Sequence, residues 1–245
     1  MNWDANQGYD AMMKEKIEVQ FAYTYPYEES QIVKQKLSVS ELKKRAYMEA
    51  EGEEIFKEEE VIPLLPKFLQ EEEELTGASK GTAYHKLLEI LDFTKDYDEK
   101  TLRDAVAEFV ASGFMTQEMA ECICVDEILG FLYSPIGKRV QMANRKGKYY
   151  PEQPFVIGIE AKRVYPEADS QDYVLVQGII DVYFEEDDQL VVLDYKTDRV
   201  RYATDLVERY RAQLEYYAEA IEKLTGKKVK EKVIYSFSLQ KEIMV

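Results

Sequence analysis

Asp181, Asp194 and Lys196 are the residues whose types and spacing could do chemistry. They fall in two runs, Tyr173 to Phe184 (Y-V-L-V-Q-G-I-I-D-V-Y-F) and Leu190 to Asp198 (L-V-V-L-D-Y-K-T-D). Both runs are rich in Val, Ile, Tyr and Phe and are bounded by acidic, polar residues, so both read as strands, with E-E-D-D-Q between them as a hairpin turn. If Asp187 and Asp188 are the two turn residues, position 186 faces 189 and Asp181 falls opposite Asp194. Cross-strand partners point the same way, which sets the two carboxylates side by side on one face. Lys196 shares that face by the strand's period of two, while Val191, Leu193 and Tyr195 point to the other.

Adjacent carboxylates repel unless a cation or a shared proton relieves them. Hard oxygen ligands with no cysteine suit Mg²⁺, with Mn²⁺ as a substitute, better than zinc. A lysine beside such an ion can orient water and neutralise a phosphate oxygen, the equipment for metal-assisted phosphodiester hydrolysis. Taken alone, the hairpin equally fits a plain set of strand-end charges, with Lys196 as the surface partner of Asp194 and Asp198. Asp-Asp is also a poorer two-residue turn than Asn-Gly.

The elements that must position these residues fit a chain of 245 residues, 46% hydrophobic and 33% charged, which is enough to bury a substantial core. A net charge of −16 excludes binding of nucleic acid through the overall field, so any such contact is local, metal-bridged or delegated to a partner. No run is long and apolar enough to span a bilayer, and the first residues lack the regions of a signal peptide, so a cytoplasmic location without membrane contact is expected. Cys122 and Cys124 are too close for an easy disulfide and are expected to be buried free thiols. No Gly-x4-Gly-Lys-Ser/Thr loop is present.

In chain order, Ala11 to Phe21 is weakly amphipathic and is followed by the aromatic run F-A-Y-T-Y-P-Y. Ser38 and Glu41 have capping-box spacing at a helix start. Acidic stretches at 49–60 and 71–74 read as solvated loop. Gly81 to Phe93 is expected to be a helix with Tyr84, Leu87, Leu88 and Leu91 inward and His85, the only histidine, near its start. A lone histidine so placed is more often a packing residue than a ligand. Helices follow at 98–112, closed by Gly113, at 116–132, and after the Ser134-Pro135 cap. Tyr149 to Ile159 is a strand whose prolines favour an edge. Thr204 to Leu224 is a long helix with Tyr210, Gln213, Leu214, Tyr217 and Ile221 on one stripe, ended by Gly226, and Val229 to Leu239 is a final strand. The order predicts an α/β fold, a mixed sheet flanked by helices.

Four short motifs in this order, G-T-A-Y-H at 81–85, G-I-I-D at 178–181, D-Y-K-T-D at 194–198 and Y-R-A-Q-L-E-Y-Y at 210–217, resemble the PD-(D/E)xK superfamily in its RecB-like branch. Within that branch they are similar to the C-terminal nuclease domains of AddA-type helicase–nuclease proteins. The resemblance covers roughly residue 37 to the C-terminus and implies a restriction-endonuclease-like mixed sheet with an added helical segment. Residues 1–36 are then similar to the connector from a helicase portion that this chain lacks, so the chain looks like an excised domain without translocation activity.

By resemblance, His85, Asp181, Asp194 and the backbone carbonyl of Tyr195 bind the divalent metal. Lys196 is the catalytic lysine, and Gln213 and Tyr217 match a Q-x3-Y motif that supports it and the DNA strand. Glu152 stands in the place of an upstream acidic residue, though its flanking prolines depart from the pattern. The implied function is a Mg²⁺-dependent DNA exonuclease acting on single strands fed from an unwound end during double-strand-break resection, with an AddB-like protein as partner. Related nucleases carry an iron–sulfur cluster on four cysteines, and two cysteines exclude that arrangement. The alternatives are a catalytically silent module that docks a partner or DNA, and a phosphodiesterase acting on RNA.

Overall fold

A computed structural model describes residues 11–22, 33–43, 45, 80–166 and 171–245. The aromatic run beyond Ala22 and the two acidic stretches lie outside the described residues. Contacts divide the chain into two compact units, Met1–Gln35 with Glu160–Val174, and Lys36–Ile159 with Leu175–Val245. In the first, α1 (Ala11–Phe21) exposes Met12, Met13, Ile17, Val19 and Phe21, and so is not the amphipathic helix expected. The buried Tyr165 in that unit accepts a hydrogen bond from the backbone of Lys34 through its hydroxyl.

The second unit is built on a six-stranded mixed sheet. Its strands are β1 (Lys36–Ser38), β2 (Tyr149–Glu160), β3 (Tyr173–Glu186), β4 (Gln189–Lys196), β5 (Val229–Ser236) and β6 (Lys241–Met244). The order is β1-β3-β4-β5-β6, with β2 also paired to β3. Parallel pairs β1/β3 and β4/β5 alternate with antiparallel pairs β3/β4 and β5/β6. Five helices form one layer: α2 (Lys80–Ile90), α3 (Glu99–Ala111), α4 (Gln117–Cys122), α5 (Val125–Tyr133) and α6 (Pro135–Arg145). They share a core with Val182, Phe184, Val191, Leu193, Tyr195, Val233 and Tyr235 of the sheet. α7 (Ala161–Val164), a short turn of helix, belongs to the first unit, and α8 (Ala203–Thr225) packs on β4 and β5 in the second. No helix among the described residues is long and apolar enough to cross a membrane.

Local chemistry sets most boundaries. Asp98 and Thr101 cap α3 reciprocally, Thr116 caps α4, Ser134 caps α6 ahead of Pro135, and Gly226 ends α8 at φ 70°. Ser38 and Glu41 form the expected capping box, the Ser38 hydroxyl accepting from Glu41 N and the Glu41 carboxylate accepting from Ser38 N. The turn between β3 and β4 places Asp187 and Asp188 at φ 54° and 61°, the left-handed pair that a two-residue hairpin needs. Lysines relieve its carboxylates, Lys227 Nζ lying 3.0 Å from Asp188 and Lys230 Nζ 3.2 Å from Asp187.

Three expectations change. The last strand ends at Ser236, and a turn with Gln240 at φ 51° reverses the chain into β6. β1 was hidden because a three-residue strand shows no alternation. Cys124 is exposed at the N-cap of α5 and Cys122 is half-buried, so neither thiol has the burial expected.

Candidate active site

The hairpin register fixes the first carboxylates. Val182 pairs with Leu193 and Glu186 with Gln189, the register expected, and Asp181 and Asp194 follow directly beyond the last paired positions. Asp181 Oδ2 accepts a 2.9 Å hydrogen bond from Tyr195 N, which ties its side chain to the neighbouring strand. Upstream, Gly178 runs beneath Phe155 and Val39, and a Cβ there would lie 2.9 Å from the Phe155 ring and 3.0 Å from Val39. The glycine of G-I-I-D thus lets the sheet be covered closely just before Asp181.

Asp194 is fully buried and Lys196 6% exposed, with Lys196 Nζ 2.9 Å from Asp194 Oδ2. Gln213 Nε2 donates to Tyr217 Oη at 2.7 Å and reaches Asp194 Oδ1 at 3.4 Å, so one turn of α8 braces the pair. Burial pushes the Asp194 carboxyl up against the opposing pull of Lys196. Burial works against a charged Lys196, yet Asp194 and Asp181 hold its pKa well above the usual lysine value.

On the other side of Asp181, α2 delivers His85 and β2 delivers Glu152. Ligand atoms of His85, Glu152 and Asp181 all lie within 4.8 Å of one another, the arrangement of a metal-binding group. Glu152 reaches it from a left-handed backbone, φ 46°, held by Gln153 donating back to Pro151 O at 2.9 Å. The left-handed φ of Glu152, a residue flanked by Pro151 and Gln153, is backbone strain of the kind that concentrates at functional positions. Burial and the Asp181 charge push the Glu152 carboxyl up to about 7.

The donor set fits a divalent cation. His85 Nε2 lies 3.1 Å from Tyr195 O, and since a carbonyl only accepts, that nitrogen donates. In the neutral ring Nδ1 then turns a lone pair toward Asp181 Oδ2, 3.5 Å away. Lone pairs facing each other beside a second, half-buried carboxylate are relieved by a positive ion between them. Next door, the buried Asp194 Oδ2 is already met by the Lys196 ammonium at 2.9 Å. Asp194 lies outside the three-residue group, turned toward Lys196, whereas Glu152 lies inside it.

Sequence reasoning assigned no role to the anchor at the end of D-Y-K-T-D. Asp198 accepts from Tyr210 Oη and from Arg209 Nη1, each at 3.0 Å, and Ser238 Oγ donates to Asp198 O at 2.6 Å. Tyr210 in turn lies under Lys196, its ring centroid 4.5 Å from Nζ, and Lys43 Nζ sits 4.0 Å from the same ring. The available signal was that Tyr210 stands one helical turn before Gln213 on the buried stripe.

The chain matches the model of the PD-(D/E)XK nuclease superfamily over residues 55–243. It is 39% identical over 220 residues to an ATP-dependent helicase/nuclease subunit from Lachnoclostridium phytofermentans, covering 76% of this chain and 16% of that protein. It is 36% identical over 247 residues to the protein of the same name from Clostridium beijerinckii, covering 98% of this chain and 20% of that one. For Clostridium botulinum the figures are 35% over 238 residues, 95% and 18%. The chain thus spans about a fifth or less of the length of these relatives.

Proposed function

Because the chain belongs to the PD-(D/E)XK nuclease superfamily, we propose that it hydrolyses phosphodiester bonds of single-stranded DNA with Mg²⁺, for which Mn²⁺ can substitute. The observation that carries this is the meeting of His85, Glu152 and Asp181 beside the buried Asp194 and Lys196 pair. His85, Glu152 and Asp181 would hold the ion, with Asp194 and the Tyr195 carbonyl at its border. When bound, such an ion supplies positive charge opposite a phosphoryl oxygen and makes water more acidic.

Lys196 contributes N–H donors at a fixed place, steadied by Asp194 and the Tyr210 ring, for a non-bridging oxygen as charge builds on it. Gln213 keeps the Asp194 carboxylate from rotating away, and Tyr217 keeps Gln213 in place. Water attacks phosphorus in line and the opposite P–O bond breaks. In this reading residues 1–36 lead in from a helicase portion, residues 37–245 form the nuclease domain, and an AddB-like protein is the partner in resecting double-strand breaks. A silent docking module would have no use for a lysine buried against an aspartate.

The test is cleavage of an end-labelled single-stranded oligonucleotide by wild type, Asp194→Asn and Lys196→Ala. Mg²⁺ and Mn²⁺ should support slow cutting, EDTA should abolish it, and each substitution should reduce the rate by about 10² to 10³. Activity surviving both substitutions removes the assigned site. Processive degradation of duplex DNA by this chain alone would contradict the part of the reading that assigns feeding of the strand to a helicase portion.

A further inference from the structure

The connection from β4 to α8 carries R-V-R-Y at 199–202, directly after the D-Y-K-T-D motif. Arg199, Arg201 and Tyr202 are all exposed, and Tyr202 shows 68% of its surface. Among the described residues neither arginine forms an ion pair, although in the same region Lys196 and Arg209 are held by Asp194 and Asp198. In a chain with net charge −16, two exposed arginines that form no ion pair among the described residues precede an exposed phenol, a combination of cations and aromatic face that stands out from the acidic average.

The connection is anchored at both ends. Asp198 is gripped by Arg209, Tyr210 and Ser238, and Tyr202 N donates to Asp205 Oδ2 at 3.4 Å. Arg199 is three residues from Lys196, so its Cα lies within about 11 Å of that lysine's. Two cations and an aromatic face on a braced loop beside the site match what an unpaired strand offers, phosphates at regular spacing and the open face of a base. A stacked duplex end buries most of its base faces and offers no such partner along its length.

We propose that R-V-R-Y is a docking platform for single-stranded nucleic acid, Tyr202 stacking on a base and Arg199 and Arg201 meeting the adjoining phosphates. This rests on the nuclease reading for the direction in which the strand runs onward, while the binding itself needs no cleavage.

The experiment is fluorescence anisotropy of labelled oligodeoxythymidylate with the full chain in EDTA, titrated over salt. Tyr202→Ala should weaken binding about tenfold or more, and Tyr202→Trp should restore it. Arg199→Ala with Arg201→Ala should flatten the slope of log K against log salt by roughly 1.4, the value for two phosphate contacts on a single strand. A blunt duplex should bind alike to wild type and Tyr202→Ala. Undiminished affinity in Tyr202→Ala, an equal loss on the duplex, or no binding by wild type at low salt each overturns the proposal. If the strand binds through Tyr202 but wild type never cleaves, the nuclease reading fails and the platform stands. If cleavage occurs and Tyr202→Ala binds normally, only the platform fails. Matching melting temperatures confirm that the variants are folded.

Discussion

Asp194 and Lys196 each carry a desolvation cost that the other relieves, and this makes the pair separable from the rest of the site by stability alone. Removing one member of a buried ion pair strands the other, a loss of about 3–5 kcal/mol, whereas replacing both by apolar residues of similar size is near neutral or stabilising. Asp194→Ala should therefore lower unfolding free energy in urea by that amount. Asp194→Leu with Lys196→Met should recover most of it while remaining without nuclease activity. A double variant as unstable as the single one would show that the cost lies elsewhere. That Asp194 and Lys196 share a face was legible from the strand's period of two, while their burial was not, since Lys196 could equally have been a surface partner. Glu152 was harder to place, since its inward direction comes from a φ of 46° that breaks the alternation of β2. The clamp on Asp198 was invisible for another reason: it depends on where the start of α8 comes to rest.

Among the elements, α6 is fastened to the sheet by Arg139, which donates two hydrogen bonds to Glu186 of β3 at 2.8 and 3.1 Å and one to Glu231 of β5 at 2.7 Å. The Arg139 hydrogen bonds, with help from Lys230, hold the Glu186 carboxyl down at about 2, against an ordinary value of 4.5. A depressed carboxyl stabilises the fold above its unfolded pKa, and that contribution disappears as pH falls through the folded one. Melting temperature should thus fall between about pH 4.5 and pH 2 more steeply in wild type than in Glu186→Gln. Equal slopes would remove Glu186 from the account. Gly178 gives a second check at this scale, because a Cβ there meets the Phe155 ring at 2.9 Å. Gly178→Ala should cost about 1–3 kcal/mol by overpacking, seen as an earlier urea midpoint. The long strands and capped helices were readable from pattern and cap chemistry. β1 and β6, of three and four residues, are made by pairing with β3 and β5 and carry no periodic signal of their own.

For the molecule as a whole, a formal charge of −16 means that a DNA strand, the substrate proposed above, would approach against the average field and would have to be held by a few local contacts. Raising ionic strength screens the repulsion as well as the attraction, so the salt dependence of strand binding should be shallow. A log–log slope beyond about −4 would require six or so phosphate contacts and contradict a local site. At this scale the mixed sheet was foreseeable from the order of helices and strands. The site was foreseeable only in part, because β2, β3, β4, α2 and α8 each contribute one to three of its residues, and their meeting is a property of the packed whole.

If His85, Asp181 and Glu152 hold the ion, an anomalous difference map from a crystal soaked in Mn²⁺ should show a peak within coordination distance of His85 Nδ1, Asp181 and Glu152, adjoining Asp194. Occupancy at some other cluster with these residues bare, or no peak at millimolar Mn²⁺, would contradict that assignment.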